Sequence, residues 1–133
     1  MLTADNHIRV LVVDDEELLT RIIEKHLLLE GGFVVCVERH SALAAKRALE
    51  FQPHIVLLDI VMPGMDGHAV AKAIRSQPET ASTAILHVSA MTSRHFSVGQ
   101  FTKTESGYFL AKPFMRKDLL EAIRVTLSEV VEP

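Results

Sequence analysis

The chain has 133 residues, 48% apolar and 23% charged, with a net charge of −3 and a pI near 6.1. That composition excludes a disordered or collagen-like chain, and the mild acidity excludes a broad basic footprint for nucleic acid. The length predicts a single domain spanning residues 1–133, with a core at about 7–130.

Short apolar runs alternate with longer amphipathic ones. Residues 8–13 open the series as a Val- and Ile-rich strand of the kind covered on both faces. Helix 16–30 follows and places Leu19, Ile22, Ile23, His26 and Leu27 on one face, with Gly31-Gly32 as its stop. The second strand, 33–37, contains Cys36, the only cysteine; no disulfide or thiol-based zinc site can be built, and Cys36 is expected to be inert packing. Ser41 is expected to cap helix 42–51, which ends before Pro53. Strand 54–58 precedes helix 67–76, which turns Val70, Ala73 and Ile74 inward and takes Asp66 as its cap. Strand 84–88 comes next.

The segment 93–103 should hold a fourth helix but is rich in Ser, Phe, Val and Thr around Gly99, which predicts a short or frayed one. A fifth strand, 107–110, stops at Ala111-Lys112-Pro113. Helix 115–130 closes the series with Leu119, Leu120, Ile123 and Leu127 inward and Lys117 and Arg124 on its wetter side. The alternation predicts an α/β fold, a doubly wound parallel sheet of five strands with helices on both faces. No apolar run approaches the roughly 20 residues of a membrane helix, and the N-terminus carries no signal pattern. A reducing compartment is expected, with the cytoplasm as the default.

Ligands of such a sheet bind beyond the carboxyl ends of the strands. There the sequence places Asp14, Asp15 and Glu16, then Asp59, then Ser89, then Lys112. Gathered carboxylates repel one another and call for a hard cation, and Mg²⁺ suits a few carboxylates while leaving room for phosphate oxygen. With the ion in place, Asp59 becomes a nucleophile toward phosphorus, Lys112 supplies charge and Ser89 a hydroxyl. Taken singly each residue has a plainer reading: Asp15 as a helix cap, Ser89 as a loop serine, Lys112 as a solvated lysine. Capping does not explain the four together.

Val12-Val13-Asp14-Asp15-Glu16, Leu58-Asp59-Ile60-Val61-Met62-Pro63-Gly64-Met65-Asp66-Gly67, Val88-Ser89-Ala90 and Ala111-Lys112-Pro113-Phe114 resemble the receiver domain of two-component response regulators (CheY-like). The resemblance runs from about His7 to Val130 and implies a flavodoxin-like sheet of order 2-1-3-4-5. It implies that Asp59 accepts a phosphoryl group, that Asp15 binds Mg²⁺ directly, that Asp14 holds metal-bound water, and that the Val61 carbonyl completes the protein's share of the shell. It implies that Lys112 contacts the phosphoryl group, that Ser89 is the hydroxyl switch and that Phe109 is the aromatic switch, with Tyr108 one residue away. A cis Lys112–Pro113 bond is expected as well. The Met62-Pro63-Gly64-Met65-Asp66-Gly67 string reads as the loop shaped over this site, with Pro63 fixing φ and Gly64 and Gly67 permitting unusual angles. Among seven scattered histidines, His26, His54 and His87 are expected to be packed, and His7, His40, His68 and His95 exposed. The stretch from Met91 to Ser106 departs from the family, lacking its Ala-rich helix and Gly-Ala lead-in.

The function implied is a phosphorylation-controlled switch, not a turnover enzyme. Its donor would be a sensor histidine kinase or phosphotransfer protein, and its reader a downstream output domain or protein. A homodimer is one assembly open to it; neither nucleic acid nor membrane is a direct partner. Two other classes stay open: an interaction module that retains the fold without the chemistry, and a phosphohydrolase with an aspartyl intermediate. The latter usually has a second Asp two residues after the nucleophile, where this chain has Val61. The chain ends three residues after Val130, so it is read either as a stand-alone receiver or as a piece of a longer regulator.

Overall fold

A computed structural model describes residues 7–90, 99–104 and 107–130. The elements run β1 (Ile8–Val13), α1 (Glu17–Glu30), β2 (Phe33–Glu38), a 3-10 turn (Ser41–Leu43), α2 (Ala44–Phe51), β3 (Ile55–Leu58), α3 (Gly67–Arg75), a second 3-10 turn (Pro78–Thr80), β4 (Ala84–Ser89), β5 (Phe101–Thr104), β6 (Gly107–Ala111) and α4 (Arg116–Val130). One sheet takes the order β2-β1-β3-β4-β6-β5. The pairs β1–β2, β1–β3, β3–β4 and β4–β6 are parallel, so the expected 2-1-3-4-5 winding is present with β6 as its fifth strand.

Alternation along the strands divides the core in two. Val10, Val12, Ile55, Leu57, Leu86 and Val88 face Ile23 and Leu27 of α1 and Leu119 and Ile123 of α4. Leu11, Val13, Val56, Leu58 and Ile85 face Ala44 and Ala48 of α2 and Val70 and Ile74 of α3. The buried stripe of α1 is narrower than its apolar content suggests: Thr20, Ile23 and Leu27 are buried, whereas Ile22 stays 42% exposed. Asp66 caps α3 as expected, its Oδ1 accepting from the Ala69 N–H at 2.9 Å. Ser41 does not cap α2, because the 3-10 turn intervenes and its hydroxyl is used elsewhere. His7 is half-buried rather than exposed, and His95 lies outside the described residues. The Lys112–Pro113 bond is cis.

The main departure is β5. Residues 93–98 of the expected short helix lie outside the described residues, but from Phe101 to Thr104 the chain is a strand antiparallel to β6. Phe and Thr favour the pleated surface, and the weak apolar stripe gave a helix nothing to bury. Gly99, with φ of +73°, and Gln100 together oppose Ala111. The Gly99 N–H donates to the Ala111 carbonyl at 3.2 Å, and the Ala111 N–H donates to the Gln100 carbonyl at 3.0 Å. This is a β-bulge whose first position needs the left-handed backbone that glycine supplies. Phe101 stacks on Tyr108 at 6.0 Å, and Lys103 pairs with Glu129 of α4 at 3.1 Å. The sheet therefore has six strands rather than five.

Candidate functional site

The parallel ladder continues past the strand ends and fixes the backbone of each site residue. The Asp14 N–H donates to the Glu38 carbonyl at 3.2 Å, the Asp59 N–H to the Val13 carbonyl at 3.0 Å, and the Lys112 N–H to the Ser89 carbonyl at 2.8 Å. Residues 14, 59, 89 and 112, remote in sequence, thus meet at one edge of the sheet. Asp15, Glu16, Asp59, Val61, Ser89, Ala90 and Lys112 line a crevice of about 250 Å³.

Lys112 Nζ donates to Asp14 Oδ2 and Glu16 Oε1, each at 3.2 Å, and lies 3.7 Å from Asp59 Oδ1. Asp14 and Asp59 are almost wholly buried, with side chains 3% and 7% exposed, and Lys112 is only 10% exposed. One carboxylate oxygen from each of Asp14, Asp15 and Asp59 lies within 4.8 Å of the others. Capping does not account for the acid pair, since the N-cap of α1 is Glu16 and makes no side-chain cap bond; Asp14 Oδ1 instead accepts from the Glu16 N–H at 2.9 Å. Glu16 as a second anchor for Lys112 was not singled out by sequence reasoning, because a glutamate in the first turn looks like ordinary helix-dipole complement.

Burial pushes the Asp14 carboxyl above the ordinary carboxylate range, against the pull of the Glu16 amide and Lys112. Burial and then the Asp14 charge do the same to Asp59, outweighing Lys112 and the Val61 and Ile60 amides. For Lys112, burial alone would lower the pKa, but the Asp14 and Asp59 charges reverse this and hold it above the ordinary lysine range. One ammonium does not satisfy this many acids.

A sign follows for stability. With a folded-state pKa above the unfolded value, ionised Asp59 costs stability at neutral pH, and the cost vanishes as pH falls through the raised pKa into the ordinary carboxylate range. In EDTA at pH 7, Asp59→Asn is expected to raise the thermal midpoint by roughly 3–5 °C, about 1 kcal/mol. Thermal scans of both proteins from pH 7 down to pH ~3.5 check it: the gain shrinks with acid, and a gain that persists contradicts the assignment.

Of the remaining residues singled out by sequence, Ser89 and Val61 line the crevice and Phe109 lies outside its lining. Ser89 is buried at the tip of β4. Val61 is 77% exposed on the loop after β3. Phe109 is buried and stacks on His87, with ring centroids 5.0 Å apart and planes 20° apart. Tyr108, by contrast, points to the other face of β6, where it donates to Glu129 at 3.2 Å, while Phe109 shares the face of His87.

Sequence and structure comparisons identify the family. The family described as "Response regulator receiver domain" matches residues 10–124. The chain is 34% identical over 121 residues to the chemotaxis protein CheY of Bacillus subtilis, covering 90% of this chain and 98% of that protein. It is 33% identical over 128 residues to the response regulator PleD of Caulobacter vibrioides, covering 92% of this chain but 28% of PleD. Among solved structures, the chemotaxis protein CheY4 of Vibrio cholerae superposes with a TM-score of 0.76 at 25% identity, covering 90% of this chain and 98% of that one. With its fold, its strand-end acids and its lysine in the arrangement described, this chain belongs to the response regulator receiver domain family.

Proposed function

We propose that the chain is a phosphorylation-controlled switch in which Asp59 carries the phosphoryl group. The observation that carries this reading is the convergence of Asp14, Asp15 and Asp59 around one point, with Lys112 and Ser89 on the same crevice. An all-oxygen set of three carboxylates fits a hard divalent cation, and Mg²⁺ is the ion this reading assigns to it, held by Asp14, Asp15, Asp59 and the Val61 carbonyl. When bound, Mg²⁺ neutralises the acids and the charge on phosphate oxygens.

The protein's own residues then have distinct parts. An Asp59 carboxylate oxygen attacks phosphorus, forming an acyl phosphate, while the P–N bond of a donor phosphohistidine breaks and the imidazole leaves to take a proton from water. Lys112, released from sharing among three acids, places its ammonium on the phosphoryl oxygens. Ser89 offers its hydroxyl to the same group, and Phe109, stacked on His87 two residues before Ser89, responds to that movement. The donor class is a sensor histidine kinase or phosphotransfer protein, and the reader a downstream output domain or protein. Receiver domains of this family are signalling switches rather than turnover enzymes, and this reading makes the chain one. No helix among the described residues is long and apolar enough to cross a membrane, which is consistent with a cytoplasmic setting.

The test is intact mass after exposure to acetyl phosphate with Mg²⁺. Wild type is expected to gain one phosphoryl group, and Asp59→Asn or wild type in EDTA none. An equal adduct on Asp59→Asn removes Asp59 from the role.

A further inference from the structure

The loop between β3 and α3 carries Val61, and three of its tethers are its own. The Gly67 N–H donates to the Ile60 carbonyl at 2.7 Å, Asp66 caps α3, and Met62 is buried in the core beneath α2 and α3. A further tether comes from outside the loop. Ser41 Oγ donates to the Pro63 carbonyl at 2.9 Å and accepts from the Met65 N–H at 3.0 Å.

Ser41 is buried in the 3-10 turn after β2, more than twenty residues away in sequence, and its hydroxyl grips the two backbone groups on either side of Gly64. Gly64 has φ of +84°, and a Cβ built there would lie 3.2 Å from Ser41 Oγ, so the loop's tip rests directly on the hydroxyl. Both hydrogen-bonding functions of the serine are thus committed to the loop, and none to capping α2.

We infer that Ser41 is a positioning residue for the metal site: it holds the Ile60–Met65 backbone so that Val61 stays beside Asp59. The inference rests on the Mg²⁺ reading above and assigns a part to a residue outside the crevice. The chain is short between the two points, since only Met62 separates Val61 from Pro63 and its side chain is anchored in the core. Fixing the Pro63 carbonyl therefore fixes the peptide that presents Val61. Pro63 and Gly64 are exposed, so water can replace the lost partner when the hydroxyl is removed. The fold survives that loss, while the loop loses its outside hold. Groups that orient ligands from behind typically change metal affinity by 10-fold or more.

The experiment is an amide NMR titration of wild type, Ser41→Ala and Asp59→Asn with Mg²⁺, paired with adduct formation from acetyl phosphate across Mg²⁺ concentrations. Ser41→Ala is expected to weaken Mg²⁺ binding about tenfold and raise the half-saturating Mg²⁺ concentration to match. Its rate at saturating Mg²⁺ is expected to stay within about twofold of wild type, which a general packing defect would not allow. Ser41→Cys, close in shape but a weak hydrogen-bonding partner, is expected to move the same way and serves if the alanine variant is poorly folded. Unchanged Mg²⁺ affinity in both variants overturns the inference, as does a rate lowered equally at every Mg²⁺ concentration. Failure of the parent reading has a separate signature: wild type itself would then show no Mg²⁺ binding that Asp59→Asn removes.

Discussion

Gly67→Ala is expected to lower the thermal midpoint by roughly 6–8 °C, a net loss of about 2 kcal/mol. Alanine in a helix normally gains about 1 kcal/mol over glycine. Here the sign reverses because α3 begins against the backbone of β3's end. A Cβ on Gly67 would lie 2.3 Å from the Asp59 carbonyl oxygen and 2.7 Å from Ile60 Cα. No side chain can swing aside to relieve those contacts, so α3 or the Asp59–Ile60 backbone has to move. Since the peptide displaced is that of the proposed phosphoryl acceptor, adduct formation from acetyl phosphate is expected to slow by about tenfold or more. Thermal scans and the adduct rate check both halves. A variant as stable and as fast as wild type contradicts the close approach.

The second large effect is in acid. His87 lies buried on β4 between Phe109 and the His68 ring, 5.4 Å away. Burial first, then repulsion from His68 and Arg75, pulls its pKa down to about 4, against a weaker opposing contact with the Leu58 backbone. The buried Nδ1 has no hydrogen-bond partner among the described residues. Unfolding returns the imidazole to an ordinary pKa near 6.5, so the unfolded state binds the proton first. The stability His87 contributes as a neutral ring is intact above about pH 6.5 and is lost as pH falls toward about 4, up to about 3 kcal/mol in all. His87→Leu keeps an apolar filler beside Phe109 without a titrating group. Urea unfolding at several pH values from neutral to about 4 is expected to show wild type losing about 3 kcal/mol more than the variant. Equal losses would mean that His87 is not held neutral in the fold. The difference between the two proteins isolates this effect from Asp14 and Asp59, whose contributions run in the opposite direction.

The strand-end cluster was legible in the sequence because it depends on residue identity at four fixed places. A buried parallel strand is a run of Val, Ile and Leu, and the next residue has nowhere to point but the sheet's edge; Asp14, Asp59, Ser89 and Lys112 follow that rule. The helices were legible too, to within a residue or two, wherever an apolar stripe met a stop such as Gly31 or Pro53. What escaped the sequence depended on contacts between remote segments. Ser41 before an Ala- and Leu-rich run looks like a cap, and only the approach of the Pro63–Met65 backbone shows where its hydroxyl goes. Phe101–Thr104 lacked helical character, but its pairing with β6 needed the register Phe101↔Leu110 that no local pattern encodes. Gly67 read as a glycine that permits unusual backbone angles, whereas its φ lies outside the left-handed region and its value is the missing Cβ against Asp59.

The strand Phe101–Thr104 also changes how this sheet is put together. In register, each parallel pair joins residues more than twenty positions apart, such as Leu86 with Tyr108 or Ile8 with Phe33, and closing such loops costs chain entropy before any contact rewards it. β5 and β6 instead meet as a hairpin, with Thr104 opposite Gly107. Among the described strands, this pair alone zips from nearest neighbours, so one margin of an otherwise long-range architecture is dictated by short-range pairing and can take shape while the centre is still being gathered.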